Sequence, residues 1–347
     1  MRGRTAALIA ATAALTTGGV VASATAAGGP PPPPKGVNGA KVKLFAQGGG
    51  LTTPTSFAFG GGNVFEGDGG SESSQIPNGG VFLLKGGSAT KLDGSPNFVG
   101  GLTWKKGTLY VSGASADASG IHFQLQAWSG WTGTKFTKQK VIYTAPKGFQ
   151  GFNGLAFGPD GRLYVGVDVG LLNGNDHGPA SGSPFLYDIL SLKPNGKDVK
   201  VFAKGIRQPW QFAFEKGSAD PFVSDLSQDS GKPKNPPDFV LKVHKGDNYG
   251  FPKCTQVNAK KCKGFTKPFK EFAPHTDIMG LAIIGKTLYM TSFIGNKGKG
   301  EVLSMPLKGG PVKAVAKGQV APFVGLGTSG GSLYVGELTG RVFKVTP

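Results

Sequence analysis

Gly154-Leu155-Ala156-Phe157, followed after a turn by Leu163-Tyr164-Val165-Gly166, is the stretch that decides the fold of this 347-residue chain. Two short apolar segments joined by a turn occur in this way six times along the sequence. The other copies are Ser56-Phe57-Ala58-Phe59 with Val64-Phe65-Glu66-Gly67, Gly101-Leu102-Thr103-Trp104 with Leu109-Tyr110-Val111-Ser112, Gln211-Phe212-Ala213-Phe214 with Phe222-Val223-Ser224-Asp225, Gly280-Leu281-Ala282-Ile283 with Leu288-Tyr289-Met290-Thr291, and Gly325-Leu326 with Leu333-Tyr334-Val335-Gly336. The second segments begin 45 to 66 residues apart. Such a period holds one four-stranded sheet, and sheets repeated around an axis form a β-propeller.

The last copy predicts how the ring closes. It contains strands at 333–336 and 341–345, after which the chain ends one strand short. The apolar segment 42–46 is expected to supply that strand, because pairing the two termini in one sheet removes an exposed edge. Helical periodicity is nearly absent. The sequence therefore predicts an all-β, six-bladed β-propeller, closed by an N-terminal strand over residues 42–46 that is added to the last blade.

The N-terminal region has the composition of a secretory signal. Arg2 and Arg4 precede an apolar run rich in Ala and Leu, and Ala24-Thr25-Ala26 forms a small-residue cleavage site. Thr and Gly interrupt the run, which is too short to favour a bilayer span. We therefore expect a signal peptide over residues 1–26, a solvated Gly- and Pro-rich linker over 27–40, and an exported propeller over 41–347 without a transmembrane segment.

Charge and cysteine content narrow the function classes. The net charge is +18, but the densest basic run, 253–270, lacks the stacking aromatics and recognition helix of nucleic-acid-binding modules. A solvated basic face with affinity for anionic cell-envelope polymers is favoured over a nucleic acid partner. The two cysteines, Cys254 and Cys262, predict one local disulfide in an exported protein. The rival interpretation, a zinc site, would require His244 and His275 as further ligands.

Acidic and amide side chains collect at the strand ends that line the channel face of a propeller. Glu66, Asp68, Asp168, Asp225 and Glu337 follow second strands, and Gln150, Asn153, Arg207, Gln208 and Asp277 precede or begin first strands. Polar groups that converge on a concave channel predict a ligand site. Turn and strand-end chemistry alone also places Asp and Asn at such positions, so both interpretations remain open for any one residue.

Three motifs carry a resemblance to a known family. Gly158-Pro159-Asp160-Gly161 before Leu163, Gly205-Ile206-Arg207-Gln208-Pro209, and Lys245-Gly246-Asp247-Asn248-Tyr249-Gly250-Phe251-Pro252 resemble the soluble glucose/sorbosone dehydrogenases. The resemblance is clear over residues 150–252, fainter to 347 and weak in the first two repeats. It implies a six-bladed propeller that binds pyrroloquinoline quinone and calcium on the channel face and oxidises a sugar.

The resemblance also implies roles for individual residues. Arg207, with Gln208 beside it, would face the carboxylates of the quinone, since a planar guanidinium binds carboxylates bidentately. Asp168 would orient the catalytic base, and the segment Gln228-Asp229-Ser230 would present oxygens to calcium. The family's base is a histidine, however, and Gln150 occupies its position. Glutamine has no titrating group that accepts a proton, and His177 on the following long loop is the alternative base.

A second resemblance competes with the first. Phe152-Asn153-Gly154-Leu155-Ala156-Phe157 is similar to the segment that supplies a metal-ligating Asn in gluconolactonase-like propellers. The other two ligands of that family are absent, because 53–55 and Trp210 occupy the corresponding regions. Glu66 and Asp225 are the candidates to replace them from neighbouring strand ends.

Three functions therefore stand as hypotheses. The first is an exported, quinone-dependent sugar oxidoreductase. The second is a non-catalytic propeller that binds envelope glycans or a protein, which the absence of the usual base at Gln150 favours. The third is a metal-dependent lactone hydrolase. The sequence does not decide between them, since a fold hosts many functions.

Overall fold

The computed structural model describes residues 31–71, 77–169, 182–228, 234–295 and 299–347. These residues contain 25 β-strands and no helix. Two strands lie near the N-terminus, β1 (Lys35–Gly36) and β2 (Lys41–Gln47), and the later strands form groups of four in which consecutive strands are antiparallel neighbours. Within the described ranges, no helix is long and apolar enough to cross a membrane.

The strands form six four-stranded units, numbered 1 to 6 in chain order. Unit 1 comprises β3 (Pro54–Gly60), β4 (Asn63–Asp68), β5 (Gly80–Lys85) and β6 (Gly87–Lys91). Unit 2 comprises β7 (Phe98–Lys105), β8 (Thr108–Asp117), β9 (Gly120–Trp131) and β10 (Phe136–Thr144). Unit 3 comprises β11 (Phe152–Phe157), β12 (Leu163–Val167), β13 (Asp188–Leu192) and β14 (Lys200–Lys204). Unit 4 comprises β15 (Pro209–Ala213), β16 (Phe222–Asp225), β17 (Asp238–Lys242) and β18 (Lys270–Phe272). Unit 5 comprises β19 (Ile278–Ile284), β20 (Thr287–Ser292), β21 (Glu301–Pro306) and β22 (Lys313–Lys317). Unit 6 comprises β23 (Phe323–Ser329), β24 (Ser332–Glu337), β25 (Arg341–Thr346) and β2.

The first strands of the units make a closed ring. β3 contacts β7, and the contacts continue in order through β11, β15, β19 and β23, which returns to β3. Each first strand has a register shift near its start, where it pairs with the second strand of its own unit. The chain is thus an all-β propeller, with its apolar cores between neighbouring units.

The N-terminal segment closes this ring as the sequence predicts. β2 pairs antiparallel with β25 from Lys41 opposite Thr346 to Gln47 opposite Arg341. β2 also pairs in parallel with β6, which joins unit 6 to unit 1. The segment before β2 is bound to the ring as well, although it lies inside the predicted linker 27–40. Pro34 is buried, and β1 pairs with β22.

One position of the sequence repeat explains why the units pack closely. It is occupied only by Gly, Ser or Thr, namely Gly67, Ser112, Gly166, Ser224, Thr291 and Gly336. Where it is Ser or Thr, the hydroxyl donates to a main-chain carbonyl of the next unit, at 3.0 Å to Gly154, 2.6 Å to Met279 and 2.7 Å to Val324 respectively. The repeat therefore encodes the contacts between units, and not only the strands.

Where the same position is glycine, the next unit approaches too closely for a side chain. A Cβ at Gly166 would lie 2.2 Å from the carbonyl oxygen of Pro209, and one at Gly336 would lie 2.5 Å from that of Pro54. In unit 1, where the residue is Gly67, Thr55 on the first strand supplies the hydroxyl instead and donates to the carbonyl of Val99 at 2.6 Å.

Candidate functional site

The first strands begin and the second strands end on one face of the ring, which we call the mouth face. A repeated main-chain hydrogen bond joins these ends in five units. The N–H groups of Gly69, Asp168, Leu226, Phe293 and Leu338 donate to the carbonyls of Thr53, Gly151, Gln208, Asp277 and Pro322 at 2.8 to 3.3 Å. This bond places Asp168 beside the segment that carries Gln150, and Leu226 beside the segment that carries Arg207.

Apolar side chains from units 4 to 6 come together at this face. Trp210, Met279 and Val324 occupy the same position of three successive first strands and pack with Leu226 and Phe293 in one buried cluster. In units 1 to 3 that position is held by Thr55, Gly100 and Asn153. Side chains of units 4 to 6 thus form an apolar patch at the face where the sequence predicts converging polar groups.

Asn153 is a buried polar side chain at this level. Its side chain is 1% exposed, and neither its amide oxygen nor its amide nitrogen has a hydrogen-bond partner among the described residues. A buried amide without partners costs free energy. Such an amide is therefore a place where a bound water or ligand atom would be favourable.

Asp168 lies beside the segment that carries Gln150. The main-chain N–H of Asp168 donates to the carbonyl of Gly151 at 2.8 Å, and the Asp168 side chain is 1% exposed. The amide nitrogen of Gln150 donates to the carbonyl of Gly148 at 2.7 Å and to Oγ of Ser183 at 3.2 Å. The amide of Gln150 does not titrate and accepts no proton. His177 lies outside the described residues.

Arg207 is buried and tied to the segment that follows β16. Its Nη1 donates to the carbonyls of Leu226 and Ser227 at 2.9 and 2.8 Å, and to Oε1 of Gln208 at 3.2 Å. Gln208 is fully buried, and its Nε2 has no partner among the described residues. Gln228 follows directly in the segment that Arg207 holds, whereas Asp229 and Ser230 lie outside the described residues.

Asp225 is the acidic group of this neighbourhood. Its side chain is 5% exposed, and its Oδ1 accepts the N–H of Gln208 at 2.7 Å. Burial is the main cause that raises the pKa of Asp225 to about 7, and the nearby Asp238 carboxylate adds to the rise. The N–H of Gln208 and the charge of Arg207 oppose it. The carboxyl is thus poised between its two protonation states near neutral pH.

Asp238 fixes the loops behind Asp225. Its two oxygens accept the N–H groups of Ser227 at 2.8 Å and Asp277 at 2.9 Å, and burial raises its pKa despite these donors. The amide nitrogen of Asn235 lies 2.6 Å from Nε2 of His275 on the same side. His275 therefore contacts this loop, while His244 lies near Asp220 and Asp247.

Arg207 and Asp225 line a cleft within unit 4, which we call the Arg207 cleft. It spans about 350 Å³ of space not filled by atoms, part of which is open solvent. The other side chains used below that line it are Gln228, Phe239, Tyr249, Phe251, Cys254 and Gln256. The predicted disulfide is confirmed, because the sulfurs of Cys254 and Cys262 are bonded, and its loop forms one wall of the cleft.

The remaining acidic candidates lie apart from this cleft. Glu66 is fully buried at the junction of units 6 and 1, and no group among the described residues is in normal hydrogen-bond geometry with its carboxyl oxygens. Glu337 is also fully buried and forms an ion pair with Arg341 at 2.6 Å. Arg341 in turn donates to the carbonyl of Pro31 at 2.7 Å. The structure thus gathers Arg207, Gln208, Asp225 and Gln228, whereas Glu337 has a structural partner.

Sequence reasoning missed the walls of the cleft. Tyr249 and Phe251 belong to the motif that carries the resemblance, and Gln256 lies in the disulfide loop. The motif at 245–252 could have indicated that Tyr249 and Phe251 lie near the site. Nothing in the sequence indicates that the disulfide loop folds back onto Arg207. No group of three His, Cys, Asp or Glu side chains suited to a metal ion occurs in the described part of the chain.

No protein-family model matches the sequence, and no curated protein is significantly similar to it. Solved structures do match. The PQQ-bound form of aldose sugar dehydrogenase from Streptomyces coelicolor is 19% identical, with a TM-score of 0.66 over 90% of this chain and 99% of that one. The calcium structure of a carbohydrate-active enzyme of family AA12 from Trichoderma reesei is 16% identical, with a TM-score of 0.67 over 91% and 97%.

A gluconolactonase from Xanthomonas campestris matches with a TM-score of 0.54 and 12% identity, over 91% of this chain and 95% of that one. At these identities the likeness establishes the fold, which is that of these propellers. Glucose and aldose dehydrogenases are among the matching structures, and they are the class that the sequence motifs resemble.

Proposed function

We propose that this protein is an exported sugar oxidoreductase that binds a quinone cofactor in the Arg207 cleft. The observation that carries the proposal is the composition of that cleft, which brings a buried guanidinium together with aromatic side chains. The proposal is supported by the match to sugar dehydrogenase propellers, one of which was solved in its PQQ-bound form. Export is supported by the signal-like region 1–26 and by the disulfide.

The residues of the cleft suit a flat, anionic cofactor. Pyrroloquinoline quinone is planar and carries carboxylates, so it requires a cation and flat apolar walls. Arg207 is the cation, and Phe239, Tyr249 and Phe251 are walls. The side-chain amide of Gln208 accepts a hydrogen bond from Arg207 through Oε1. Its Nε2 is a buried donor without a partner among the described residues, and would be a second donor to the cofactor. When bound, the quinone would supply a two-electron oxidant for a carbinol carbon.

Calcium is a proposal of the same kind. Gln228 lines the Arg207 cleft and offers an amide oxygen and a carbonyl oxygen, which are ligands that calcium prefers. Asp229 and Ser230, which the resemblance assigns to the same ion, follow it in the sequence.

The first experiment is a titration of the mature protein with pyrroloquinoline quinone, with and without calcium, that records absorbance and melting temperature together. We expect calcium-dependent binding and a raised melting temperature, because a ligand that binds only the folded state stabilises it. Arg207→Gln should abolish binding. The matched control is Arg162→Gln, since Arg162 pairs with Asp198 outside the cleft. No binding to the wild type, or equal binding to both variants, would contradict the proposal.

A second candidate is a propeller that binds glycans or a protein without turnover. The observation that favours it is Gln150, whose amide is held by Gly148 and Ser183 and accepts no proton. Saturable glycan binding without quinone binding would support this candidate. Substitution of Gln150 by His tests the difference, because it should raise dye reduction only if the cofactor site is intact.

The third candidate, a metal-dependent lactone hydrolase, rests on Asn153. Its buried amide has no partner among the described residues, at the position where the second resemblance places a metal ligand. Metal-dependent opening of a sugar lactone that is lost in Asn153→Ala would support it.

A further inference from the structure

The densest basic run of the chain lies in one loop of unit 4. Residues 253–270, which we call the lysine loop, belong to the connection from β17 to β18 and end at the first residue of β18. They contain six lysines and no acidic residue, the lysines being Lys253, Lys260, Lys261, Lys263, Lys267 and Lys270. None of these lysines lines the Arg207 cleft, so the proposed function gives them no role.

The lysine loop is anchored to the body of unit 4. The disulfide joins Cys254 to Cys262, and the N–H of Cys254 donates to the carbonyl of Gly250 at 2.8 Å. Further along, the N–H of Thr266 donates to the carbonyl of Asn248, also at 2.8 Å. Charges on an anchored loop lose less conformational entropy on binding than charges on a free tail do, because the main chain that carries them is already ordered.

The lysine side chains face solvent without an acidic partner. All six are exposed except Lys270, which is half-buried. In the described part of the chain, the ion pairs that lysines form lie outside this loop, at Lys200, Lys286 and Lys317. The lysine loop therefore presents a concentrated positive charge that no acidic side chain within ion-pair distance neutralises. Such a field attracts a multivalent anion.

The residue types in the lysine loop indicate the chemistry of that anion. A lysine ammonium is a compact charge that pairs with single anionic oxygens without a fixed planar geometry. Uncharged polar side chains, Thr255, Gln256 and Asn258, lie between Lys253 and Lys260 and offer hydrogen bonds of the kind that sugar hydroxyls make. We propose that the lysine loop is a binding surface for an acidic polysaccharide, whose carboxylates pair with the lysines and whose hydroxyls bond to the polar side chains between them.

The aromatic side chains of the loop disfavour a nucleic acid as the partner. Sequence-tolerant binding of single strands uses aromatic rings on which bases stack. Phe265 is half-buried and packs against Gly250, where an added Cβ would lie 2.5 Å from the ring. Phe269 is half-buried as well, and its ring packs edge-on to Phe222 with the centroids 5.2 Å apart. Both rings thus serve the fold.

The surface also lacks the groups that proteins and membranes require. The centres of protein interfaces are rich in aromatic side chains and arginine and poor in lysine, and the lysine loop contains no arginine. Membrane surfaces are bound by basic residues together with inserted apolar side chains. The large apolar side chains that are exposed among the described residues all lie outside the loop, at Leu44, Val141, Val201 and Val320.

The test is a binding titration of the full mature protein with a fluorescently labelled oligogalacturonate, followed by anisotropy. We expect saturable binding at about 50 mM salt that weakens as the salt rises to about 200 mM, because pairing with a polyanion releases its counterions. Dextran, a neutral polysaccharide, should not compete. The assay requires neither quinone nor turnover, so its result is independent of the proposed function.

A pair of matched variants locates the surface. The first combines Lys260→Gln, Lys261→Gln and Lys263→Gln, and we expect it to lose about 10-fold in affinity and to depend less on salt, since three exposed ion pairs are removed. The control combines Lys135→Gln, Lys138→Gln and Lys140→Gln at exposed positions of unit 2. It removes the same charge from an equally dense trio and should change affinity less than about twofold. Equal losses in the two variants would overturn the proposal, because binding would then follow net charge.

The remaining outcomes are decided on the wild type. Absence of oligogalacturonate binding at low salt would overturn the proposal outright. Tighter binding of polyphosphate, single-stranded DNA or anionic lipid vesicles than of the oligogalacturonate would overturn the acidic polysaccharide as the partner. Melting temperatures of both variants equal to that of the wild type are expected, since the substituted side chains are exposed.

Discussion

Glu66 and Asp68 lie two residues apart on β4, both fully buried, yet only one of the two carboxyl groups is supported by hydrogen bonds. Asp68 accepts four hydrogen bonds, from the N–H and hydroxyl of Thr52 and the N–H groups of Thr53 and Gly70, at 2.7 to 2.9 Å. Glu66 has no partner in normal hydrogen-bond geometry within the described ranges, although the main-chain N–H of Thr55 acts to lower its pKa. The equivalent residue in the other five units is a fully buried aliphatic side chain, as in Val165 and Val335.

This contrast predicts opposite effects of substitution. Burial raises the pKa of Glu66 well above its ordinary value of 4.5, and the Asp68 charge adds to the rise. The folded state therefore holds the Glu66 proton to higher pH than the unfolded chain does, so stability is lost as pH rises above that value. We expect Glu66→Val to raise the melting temperature, and to raise it more at pH 8 than at pH 5.

Asp68→Asn is the matched comparison at the neighbouring site. An amide retains one acceptor oxygen but turns an NH2 group toward donors, so it should destabilise the protein by about 1–3 kcal/mol. Both variants are followed by thermal unfolding across this pH range. A melting temperature that falls in Glu66→Val at both pH values would mean that the carboxyl has a partner that stabilises the fold.

The contacts between units predict that removal of the Thr291 hydroxyl lowers the free energy of unfolding. Its Oγ1 accepts the N–H of Gly280 and donates to the carbonyl of Val324, both at 2.7 Å in a buried setting. Thr291→Val keeps the shape and leaves both main-chain groups unpaired, so we expect a loss of about 1–3 kcal/mol in urea unfolding. Thr137→Val, at an exposed hydroxyl on β10, should change stability little. Equal effects of the two substitutions would count against the hydroxyl bridges between units.

The closing strand predicts a cooperative dependence on the N-terminus. β2 pairs along its whole length with β25, and Ala46 is fully buried. Deletion of 41–47 would expose an edge of unit 6, so we expect the propeller to lose its cooperative unfolding transition. Deletion up to residue 34, which removes the Pro31 contact to Arg341 but spares β2, should lower the melting temperature only modestly. A protein without 41–47 that keeps its full melting temperature would refute this role.

The sequence repeat predicts strands well because the alternation of apolar residues and turns is local. It predicts register less well. In unit 4 Phe222 pairs with Ala213 as Tyr164 pairs with Ala156 in unit 3, so Ser224 and not Asp225 is the counterpart of Gly166, in agreement with its hydroxyl bond to the next unit. The register of Ser224 is determined by strand pairing. Because pairing joins residues that are far apart in the chain, a local sequence pattern does not predict it.

The location of the candidate site was also beyond local patterns. Polar strand ends predicted a site around the channel, but Trp210, Met279 and Val324 pack together at the mouth face. The cleft opens instead within unit 4, where the disulfide loop folds against Arg207. The side chains that fill the centre of the mouth face are selected by packing between three units. The local sequence pattern of one repeat does not contain that information.

The disulfide predicts a link between covalent closure and ligand binding. Cys254 is buried in the wall of the Arg207 cleft, and Nε2 of Gln256 lies 3.2 Å from its sulfur. The double substitution Cys254→Ser, Cys262→Ser removes a cross-link between cysteines eight residues apart. The loop-entropy model gives such a cross-link a contribution of about 2–3 kcal/mol to the free energy of unfolding. We expect a lower melting temperature and weaker quinone binding, because the wall beside Arg207 loses its anchor. Treating the wild type with a reductant should reproduce both effects, and the double variant should not respond to the reductant. Binding that is unchanged in the double variant would mean that the loop does not shape the cleft for its ligand.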